Sequence, residues 1–416
     1  MERKSSLAYN TAMLYVLTAS NYIFGFLTIP YLTRVLGVEI YGQIGFATAF
    51  STYVQVVLDF GFILSATAAV ARCEGDIKRI SSVLTAVTCC KFCFVALSFA
   101  VVLFLILDVG QFSCDPGLFI AYFAYVSINS LIPDYVYRGL ERMTIITVRT
   151  VTVKGLSLLG IFLFVKGPEQ YHLIPIFYLI GALLAVVFVY SHLKKQLGIW
   201  FVVVRFGYIV QTAKESFQYF VSRVAATFYG SMNMMILGLV FPGSAVVGQF
   251  SACNNIVAAG RALASPVADS LFPYMVRTSR FGSLVRVALI GEAVLVPCCV
   301  VAGIFSYDLC GWFFGAEYYE AGGILRVLIA LVPIALASYL FGFPALTPLG
   351  KARVANTSVM IGAAVQTVLV AGMFALGHFD VLGLCYATVA TELVELLVRV
   401  VAFIMGVGQL KKSRQS

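Results

Sequence analysis

The sequence predicts an all-α polytopic membrane protein with about 12 transmembrane helices in two pseudo-symmetric six-helix bundles. The first observation behind this prediction is composition, since 61% of the 416 residues are hydrophobic and only 11% are charged. The second is that apolar runs of about 20 residues or more recur along the whole chain, which is the length that an α-helix needs to cross a bilayer. A soluble fold has no core large enough to bury so much apolar surface.

The individual spans are predicted from apolar windows between polar breaks and breaks that contain Gly or Pro. Their approximate limits are 10–33, 42–70, 81–108, 117–137, 144–166, 172–193, 215–240, 245–275, 283–306, 322–347, 353–376 and 380–406. The stretch between the sixth and seventh spans mixes basic, aromatic and β-branched residues, which predicts an interfacial segment on the inner membrane surface. The predicted domains are an N-terminal bundle at 1–193, a linker at 194–214 and a C-terminal bundle at 215–416.

Lys and Arg residues are distributed unequally between the two sides of the predicted membrane. Of the 28 basic residues, 19 are assigned to cytoplasmic segments, seven to spans, and only Arg34 and Lys166 to outer loops. Cytoplasmic loops of membrane proteins carry such an excess, so both termini are predicted to be cytoplasmic. The formal net charge of +9 therefore needs no nucleic-acid partner to explain it.

The composition contains no pattern for metal or nucleotide chemistry. The chain has three His residues, and most of its ten Cys residues lie in apolar runs, where thiols behave as small hydrophobic groups. No GxxxxGK[ST] motif occurs. The sequence thus predicts no metal and no cofactor, and any energy is expected to come from an ion gradient or from the direction of supply.

The two halves of the chain show signs of an internal duplication. The segment LGVEIYGQIGFATAFS at 36–51 aligns with PGSAVVGQFSACNNIV at 242–257, so that the pair Gly42-Gln43 meets Gly248-Gln249. Six predicted spans separate the two copies. Because an even number of spans restores the same direction across the membrane, the sequence predicts a parallel repeat.

Polar residues form stripes on the second and eighth predicted spans, at matching positions of the two halves. One helical face of the second span carries Thr48, Thr52, Gln55 and Asp59. One face of the eighth carries Asn254, Arg261, Ser265 and Asp269. A polar stripe within a bilayer must face protein or water. Both interpretations stay open at this point: hydrogen bonds between packed helices, or a water-filled cavity between the bundles, which we favour.

Ionisable residues within the spans are the strongest functional signal, because a charge at a helix centre costs roughly 2.5–3.5 kcal/mol on insertion scales. Five deep cations have no acidic residue one turn away: Lys91, Arg149, Lys154, Arg223 and Arg261. We expect them to be unpaired and to form a cationic cavity for an anionic cargo, since Arg binds phosphate with two parallel hydrogen bonds.

The remaining intramembrane charges receive other interpretations. Glu395 and Arg399 are four residues apart on one helix and are predicted to neutralise each other. Arg326 lies near a span end, where a long side chain can reach the interface. The candidate ion-coupling carboxylates are Asp59, Asp269 and Glu292.

Two stretches carry a resemblance to a known family. The stretch NYIFGFLTIPYLTRVLGVEIYGQIGFATAF at 21–50 contains a Pro-Tyr-Leu-Thr-Arg-Val-Leu-Gly run followed by Tyr-Gly. The stretch PDYVYRGLERMTIITVRTVTVKG at 133–155 begins with Pro-Asp-aromatic and continues into a Gly-x-Glu turn, with Arg138 where relatives often have Gln. Both resemble the polysaccharide repeat-unit flippases, the O-antigen and capsule translocases of the multidrug/oligosaccharidyl-lipid/polysaccharide exporter superfamily.

The resemblance implies a V-shaped pair of six-helix bundles that works by alternating access in a bacterial cytoplasmic membrane. The implied cargo is an undecaprenyl-pyrophosphate-linked oligosaccharide, moved from the inner to the outer leaflet. The implied partners are this glycan and membrane lipid, together with the polysaccharide polymerase and glycosyltransferases of the same pathway. A transporter rather than an enzyme is expected, with no catalytic residue.

Two alternatives remain at this stage. A multidrug or organic-cation antiporter of the same superfamily would favour a cavity dominated by acids, whereas deep cations are at least as numerous here. A polysaccharide polymerase or ligase would typically carry a large outer loop with Arg and His. The longest predicted outer loop, YDLCGWFFGAEYYEA at about 307–321, contains neither residue.

The predicted topology is tested by reporter fusions. Fusions after residues 110 and 168 are expected to report the outer face, and a fusion after residue 199 the inner face, because the basic residues alternate in that way. An inner signal at either of the first two positions would contradict the topology.

Overall fold

The structure is a computed structural model that describes the backbone of residues 7–413. Side chains are described over the same range, apart from those of residues 7–12, 14, 222, 225, 226, 228–230 and 410–413. The described residues form α-helices joined by short connections, with no β-strand among them. The predicted all-α class is therefore confirmed.

The chain divides into two compact units, Met1–Gly243 and Ser244–Ser416. The helices of the first unit are α1 Leu7–Asp59, α2 Phe62–Ala71, α3 Ile77–Asp108, α4 Gly110–Ser113, α5 Pro116–Ser130, α6 Asp134–Gly139, α7 Met143–Phe164, α8 Leu173–Leu197 and α9 Phe206–Val240. Those of the second unit are α10 Ala245–Ala262, α11 Ala264–Thr278, α12 Phe281–Ile304, α13 Ser306–Phe314, α14 Gly322–Leu328, α15 Leu331–Phe341, α16 Phe343–Leu346, α17 Ala352–Ala375 and α18 Val381–Ser413.

Among the described residues, eight segments are long and apolar enough to cross a membrane. They are Tyr15–Ala71, Ile77–Asp108, Pro116–Gly139, Met143–Phe164, Pro168–Leu197, Phe281–Ile304, Ala316–Leu346 and Ala352–Ala375. The first segment contains most of the first predicted span and all of the second. Helix α1 joins these two spans across a kink at Gly37, where φ is 75° and ψ is 172°. The predicted spans at 215–240, 245–275 and 380–406 are not among the eight, so the count of twelve stays a prediction.

Several predicted continuous spans are interrupted in the structure. A proline has no N–H for the carbonyl four residues earlier, and its ring clashes with that carbonyl. Pro266 accordingly divides the predicted span 245–275 after Ala262, where α10 ends, and Pro333 separates α14 from α15 within 322–347. Pro133 lies between α5 and α6 and divides 117–137. The span 42–70 is broken by positive φ angles at Phe60 and Gly61.

The boundary between the two units lies later in the chain than the predicted linker at 194–214, because α9 belongs to the first unit. A Cβ atom at Gly61 would lie 2.8 Å from the backbone nitrogen of Phe220, so the turn before α2 approaches α9 at backbone distance. Ser65 of α2 and Ser216 of α9 also share a hydrogen bond of 2.7 Å. The two predicted six-helix bundles remain a prediction.

The predicted linker contains a non-helical stretch from 198 to 205 between α8 and α9. The backbone N–H of Trp200 donates to Ser81 Oγ at 3.3 Å, and that of Val202 donates to Thr85 Oγ1 at 3.0 Å. These bonds to α3 satisfy backbone donors that no helix or sheet satisfies. The stretch is thus held on α3, while its position at the membrane surface stays a prediction.

Helix α6 is short but firmly packed, which fixes the position of its first residue, Asp134. Val136 and Tyr137 are fully buried in a core that also contains Val70 and Leu84. The Tyr137 hydroxyl lies 3.1 Å from Nδ1 of His192. Six residues are too few for a stable isolated helix, so this packing stabilises α6.

The packing of α6 predicts a stability difference between two glycine variants. A Cβ atom at Gly139 would lie 2.6 Å from Val70 Cγ1 and 3.0 Å from the Thr67 carbonyl oxygen, whereas at Gly155 of α7 its nearest neighbour would be Phe24 Cζ at 3.8 Å. We expect Gly139→Ala to destabilise the protein by about 1–3 kcal/mol through overpacking. The midpoint of thermal unfolding in detergent measures this effect.

Gly155→Ala is the matched control, because it adds the same methyl group to an open position and favours the helix. Its unfolding midpoint is expected to equal or exceed that of the unmodified protein. Equal midpoints for the two variants would contradict the close contact at Gly139.

Candidate functional site

A cavity of about 220 Å³ lies within the first unit, and we call it the charged cavity. Its lining residues are Gln55, Asp59, Ile63, Lys91, Asn129, Ser130, Ile132, Asp134, Tyr135, Arg149 and Arg223. Three of the five predicted deep cations therefore line one cavity, together with two members of the polar stripe on α1.

Arg149 of α7 binds Asp134 of α6 through two parallel hydrogen bonds. Its Nη1 lies 2.5 Å from Oδ1, and its Nη2 lies 3.1 Å from Oδ2. Nη2 also donates to Thr150 Oγ1 at 2.9 Å. The Arg149 side chain is 8% exposed and that of Asp134 is 23% exposed, so the pair lies at the wall of the cavity with the carboxylate nearer to the open space.

Lys91 of α3 is buried and has two oxygen partners. Its Nζ donates a short hydrogen bond to the backbone carbonyl of Ser130 and lies 3.7 Å from Asp59 Oδ1. Ser130 is the last residue of α5, and in a continuous helix its carbonyl would accept from the N–H of Asp134. That N–H donates to Ile132 instead, because the chain turns at Pro133. The break thus leaves a carbonyl for the ammonium group.

These contacts correct the expectation that the deep cations are unpaired. Arg149 and Lys91 have acidic partners from other helices, and Arg261 of α10 binds Glu392 of α18 at 2.6 Å. The physical reason is the cost of an uncompensated charge in an apolar chain. Partners from distant parts of the sequence satisfy this requirement as well as partners one turn away.

Arg223 of α9 differs from the other two cations of the cavity. Its side chain is exposed, and the described part of the chain offers it no ion pair or hydrogen bond. The cavity therefore combines three cations with two carboxylates, and Arg223 supplies the excess positive charge.

Lys154 is not among the residues that line the charged cavity. Its Nζ donates to Asn21 Oδ1 on α1 at 2.9 Å. Lys154 therefore does not share this cavity with Lys91 and Arg149. Its predicted role in cargo binding stays a prediction.

The polar stripe of α1 faces away from the packed core of its unit. Thr48 and Thr52 are exposed, and Gln55 and Asp59 are half-buried, while Ala47 and Leu58 are fully buried. Gln55 and Asp59 reach the charged cavity, which favours the water-filled interpretation for that end of the stripe.

In the second unit, the polar stripe of the predicted span 245–275 is divided between α10 and α11. Leu263, between α10 and α11, is 72% exposed. Ser265 Oγ donates to Asp269 Oδ2 at 3.1 Å, and Asn254 is half-buried. The predicted cavity shared by the stripes of the two halves stays a prediction.

Arg399 of α18 is a buried structural cation, as its predicted ion pair indicates. It contacts Glu395 in the same helix, which confirms that pair. Its Nη1 also donates to the Ser338 carbonyl at 2.7 Å, and its Nε donates to Ser358 Oγ at 2.9 Å. With this many partners inside the unit, Arg399 joins α18 to α15 and α17.

The three candidate coupling carboxylates have different surroundings. Asp59 faces Lys91, and Asp269 is exposed and bonded to Ser265. Glu292 of α12 has a buried Oε1 without a hydrogen-bond partner among the described residues. Its neighbours Leu289 and Ile290 are largely exposed apolar side chains.

The sequence analysis did not identify Asp134 as part of the site, because Asp134 lies 15 residues before Arg149 and on a different helix. The available signal was the Pro-Asp pair itself. A proline that ends one helix places the next residue in the first turn of another, where an acidic side chain is favoured by the helix dipole.

Comparison with known proteins identifies relatives of this chain. A candidate O-antigen transporter of Shigella dysenteriae is 24% identical over 363 residues, which cover 86% of this chain and 90% of that protein. A candidate O-antigen transporter of Escherichia coli strain K12 is 25% identical over 306 residues, which cover 74% of this chain and 73% of that protein.

Two solved structures show the same fold. The lipid II flippase MurJ in an inward closed conformation matches with a TM-score of 0.74 at 13% identity, covering 95% of this chain and 90% of that one. An inward-facing multidrug resistance MATE family transporter of the MOP superfamily matches with a TM-score of 0.65 at 13% identity, covering 94% and 99%. The predicted all-α fold class is thereby confirmed, while the count of twelve spans stays a prediction.

The sequence model of the family described as polysaccharide biosynthesis protein matches residues 7–279. This match contains α1 to α11, and with them every residue that lines the charged cavity. It covers about two-thirds of the chain, and the predicted family resemblance is confirmed. The chain therefore belongs to the polysaccharide biosynthesis protein family.

Proposed function

We propose that the chain is a flippase that moves undecaprenyl-pyrophosphate-linked oligosaccharide repeat units from the inner to the outer leaflet of a bacterial cytoplasmic membrane. The observation that carries this proposal is the charged cavity, in which Lys91, Arg149 and Arg223 line one space within an apolar unit. The O-antigen transporters among the relatives and the lipid II flippase among the structural neighbours support the same class of cargo.

The chemistry of the cargo explains why such a cavity is needed. A pyrophosphate diester carries about two negative charges, and charge transfer into an apolar medium without compensation costs many kcal/mol. A carrier must therefore present cations within the membrane. Arg149 offers a planar donor pair that matches two phosphate oxygens, and Lys91 and Arg223 add positive charge nearby.

The polar neighbours of these cations suit the rest of the head group. Gln55 and Asn129 line the same cavity with amide groups, which both donate and accept hydrogen bonds. Sugar hydroxyl groups next to the pyrophosphate require partners of this kind. The lipid tail stays in the bilayer under this proposal, while the head group passes through the protein by alternating access.

The balance of charge argues against a multidrug or organic-cation antiporter, although the MATE transporter shares the fold. A cationic drug needs an excess of acidic groups, yet both carboxylates of the charged cavity already face a cation. The excess charge there is positive. No observation favours a polymerase or ligase, and no catalytic residue is proposed.

We propose that transport is coupled to a proton gradient through Glu292. The ionised form of a carboxyl group without a cation partner is costly in apolar surroundings, whereas its neutral form is tolerated. Glu292 fits this description better than Asp59, which faces Lys91, or Asp269, which is exposed. The glycosyltransferases and the polymerase of the pathway are the proposed partners that supply and consume the cargo.

The role of the charged cavity is tested by Arg223→Gln, which removes the excess positive charge without leaving an acidic residue unpaired. We expect surface glycan to fall by about tenfold or more, in line with loss of a charge-assisted contact to phosphate, at unchanged protein level. Glycan display and membrane protein abundance are measured in the same cells.

Arg326→Gln is the matched control, since it removes an exposed cation of a predicted span outside the charged cavity. It is expected to leave glycan display unchanged. Full display with Arg223→Gln would mean that pyrophosphate is bound elsewhere, and efflux of an organic cation by the unmodified protein would favour the antiporter.

The coupling proposal is tested in proteoliposomes with and without an imposed proton gradient. Glu292→Gln keeps the size of the side chain but cannot bind and release a proton. We expect the variant to retain transport without a gradient and to lose the acceleration that the gradient produces. Asp269→Asn is the matched control and is expected to keep that acceleration. Loss of acceleration with Asp269→Asn alone would assign coupling to Asp269.

A further inference from the structure

The geometry of Asp134 resembles that of a bound phosphate. Its two carboxylate oxygens occupy the positions in front of Arg149 Nη1 and Nη2 at 2.5 and 3.1 Å. A phosphate group meets guanidinium with the same pair of parallel hydrogen bonds. Arg149 therefore has its phosphate-binding edge already occupied by an internal anion.

Asp134 is also placed where an incoming anion can replace it. The side chain is 23% exposed and lines the charged cavity, whereas the Arg149 side chain is 8% exposed. The backbone of α6 is fixed by the burial of Val136 and Tyr137. Rotation of the Asp134 side chain is sufficient to open Arg149, and the helices do not have to separate.

The other ion pair of the cavity is not equivalent. Lys91 Nζ lies 3.7 Å from Asp59, and it also donates to the Ser130 carbonyl at the end of α5. That carbonyl belongs to the backbone and cannot turn away. Lys91 is thus held by the fold, while Arg149 depends on Asp134 and on the hydroxyl of Thr150.

We propose that Asp134 competes with the cargo phosphate for Arg149. Arg149 releases Asp134 when the cargo binds, and it binds Asp134 again when the cargo is expelled. This inference rests on the proposed function. A flippase must release a dianion from a cationic cavity, and a carboxylate that competes for the same donors lowers the net gain of binding. Asp134 acts through Arg149 and is therefore a positioning residue with an effect on affinity.

The experiment measures the binding of inorganic pyrophosphate to the purified full-length chain by titration calorimetry. Asp134→Asn keeps the shape of the side chain but removes its charge. We expect this variant to bind pyrophosphate about tenfold more tightly than the unmodified protein, because a neutral amide competes less well for a guanidinium. Turnover of the lipid-linked cargo is expected to fall, because release becomes slow.

A second comparison separates direct competition from the general effect of removing a negative charge. The variants are Arg149→Gln and Arg149→Gln with Asp134→Asn, of which the second leaves no uncompensated charge at this position. If Asp134 acts through Arg149, Asp134→Asn strengthens pyrophosphate binding by a smaller factor in the Arg149→Gln background than in the unmodified protein. An equal or larger factor in the Arg149→Gln background would show that Asp134 acts through charge alone and would overturn the inference.

The outcomes also distinguish this inference from the proposed function. Pyrophosphate binding by the unmodified protein, with weaker or equal binding by Asp134→Asn, would overturn the competitor role and leave the flippase proposal in place. Absence of pyrophosphate binding by the unmodified protein and by Asp134→Asn alike would overturn both. Asp134→Glu keeps the charge and is expected to bind pyrophosphate no more tightly than the unmodified protein.

Discussion

A charge inside an apolar chain requires a compensating group, and the arrangement of the buried polar residues follows from this constraint. Four of the cations in the predicted spans have an acidic partner. The pairs are Arg149 with Asp134, Lys91 with the Ser130 carbonyl and Asp59, Arg261 with Glu392, and Arg399 with Glu395. Arg223 lacks such a partner among the described residues, and its side chain is exposed.

The interruption at Pro133 produces two of these partners at once. By ending the preceding helix it leaves the Ser130 carbonyl to Lys91, and by starting α6 it places Asp134 opposite Arg149. A continuous helix over the same residues would offer neither group. The local loss of helical hydrogen bonds is offset by the buried side chains of α6, among them Tyr137. Pro133 thus determines both where α5 ends and which oxygen atoms lie next to Lys91 and Arg149.

The sequence was sufficient for the all-α class and the family, because apolar length and the motifs around Pro133 are local properties of the chain. It also placed Lys91, Arg149 and Arg223 among the functional candidates, since any charge in an apolar run is conspicuous. It did not predict their partners, because Asp134 and Glu392 meet their arginines only through folding. The break at Pro266 was missed because apolar residues occur on both sides of it and a window average does not register a single proline.

The volume of the charged cavity, about 220 Å³, has a consequence for glycan specificity. It is smaller than the roughly 300–1,000 Å³ of sites that enclose a drug-sized molecule, and an oligosaccharide is larger still. Under the proposed function, this space recognises the diphosphate that all such carriers share and leaves most sugar rings outside. Discrimination among repeat units then falls to the enzymes that assemble them, or to other surfaces of the chain. The same cavity would then serve lipid-linked glycans that differ in most of their sugars.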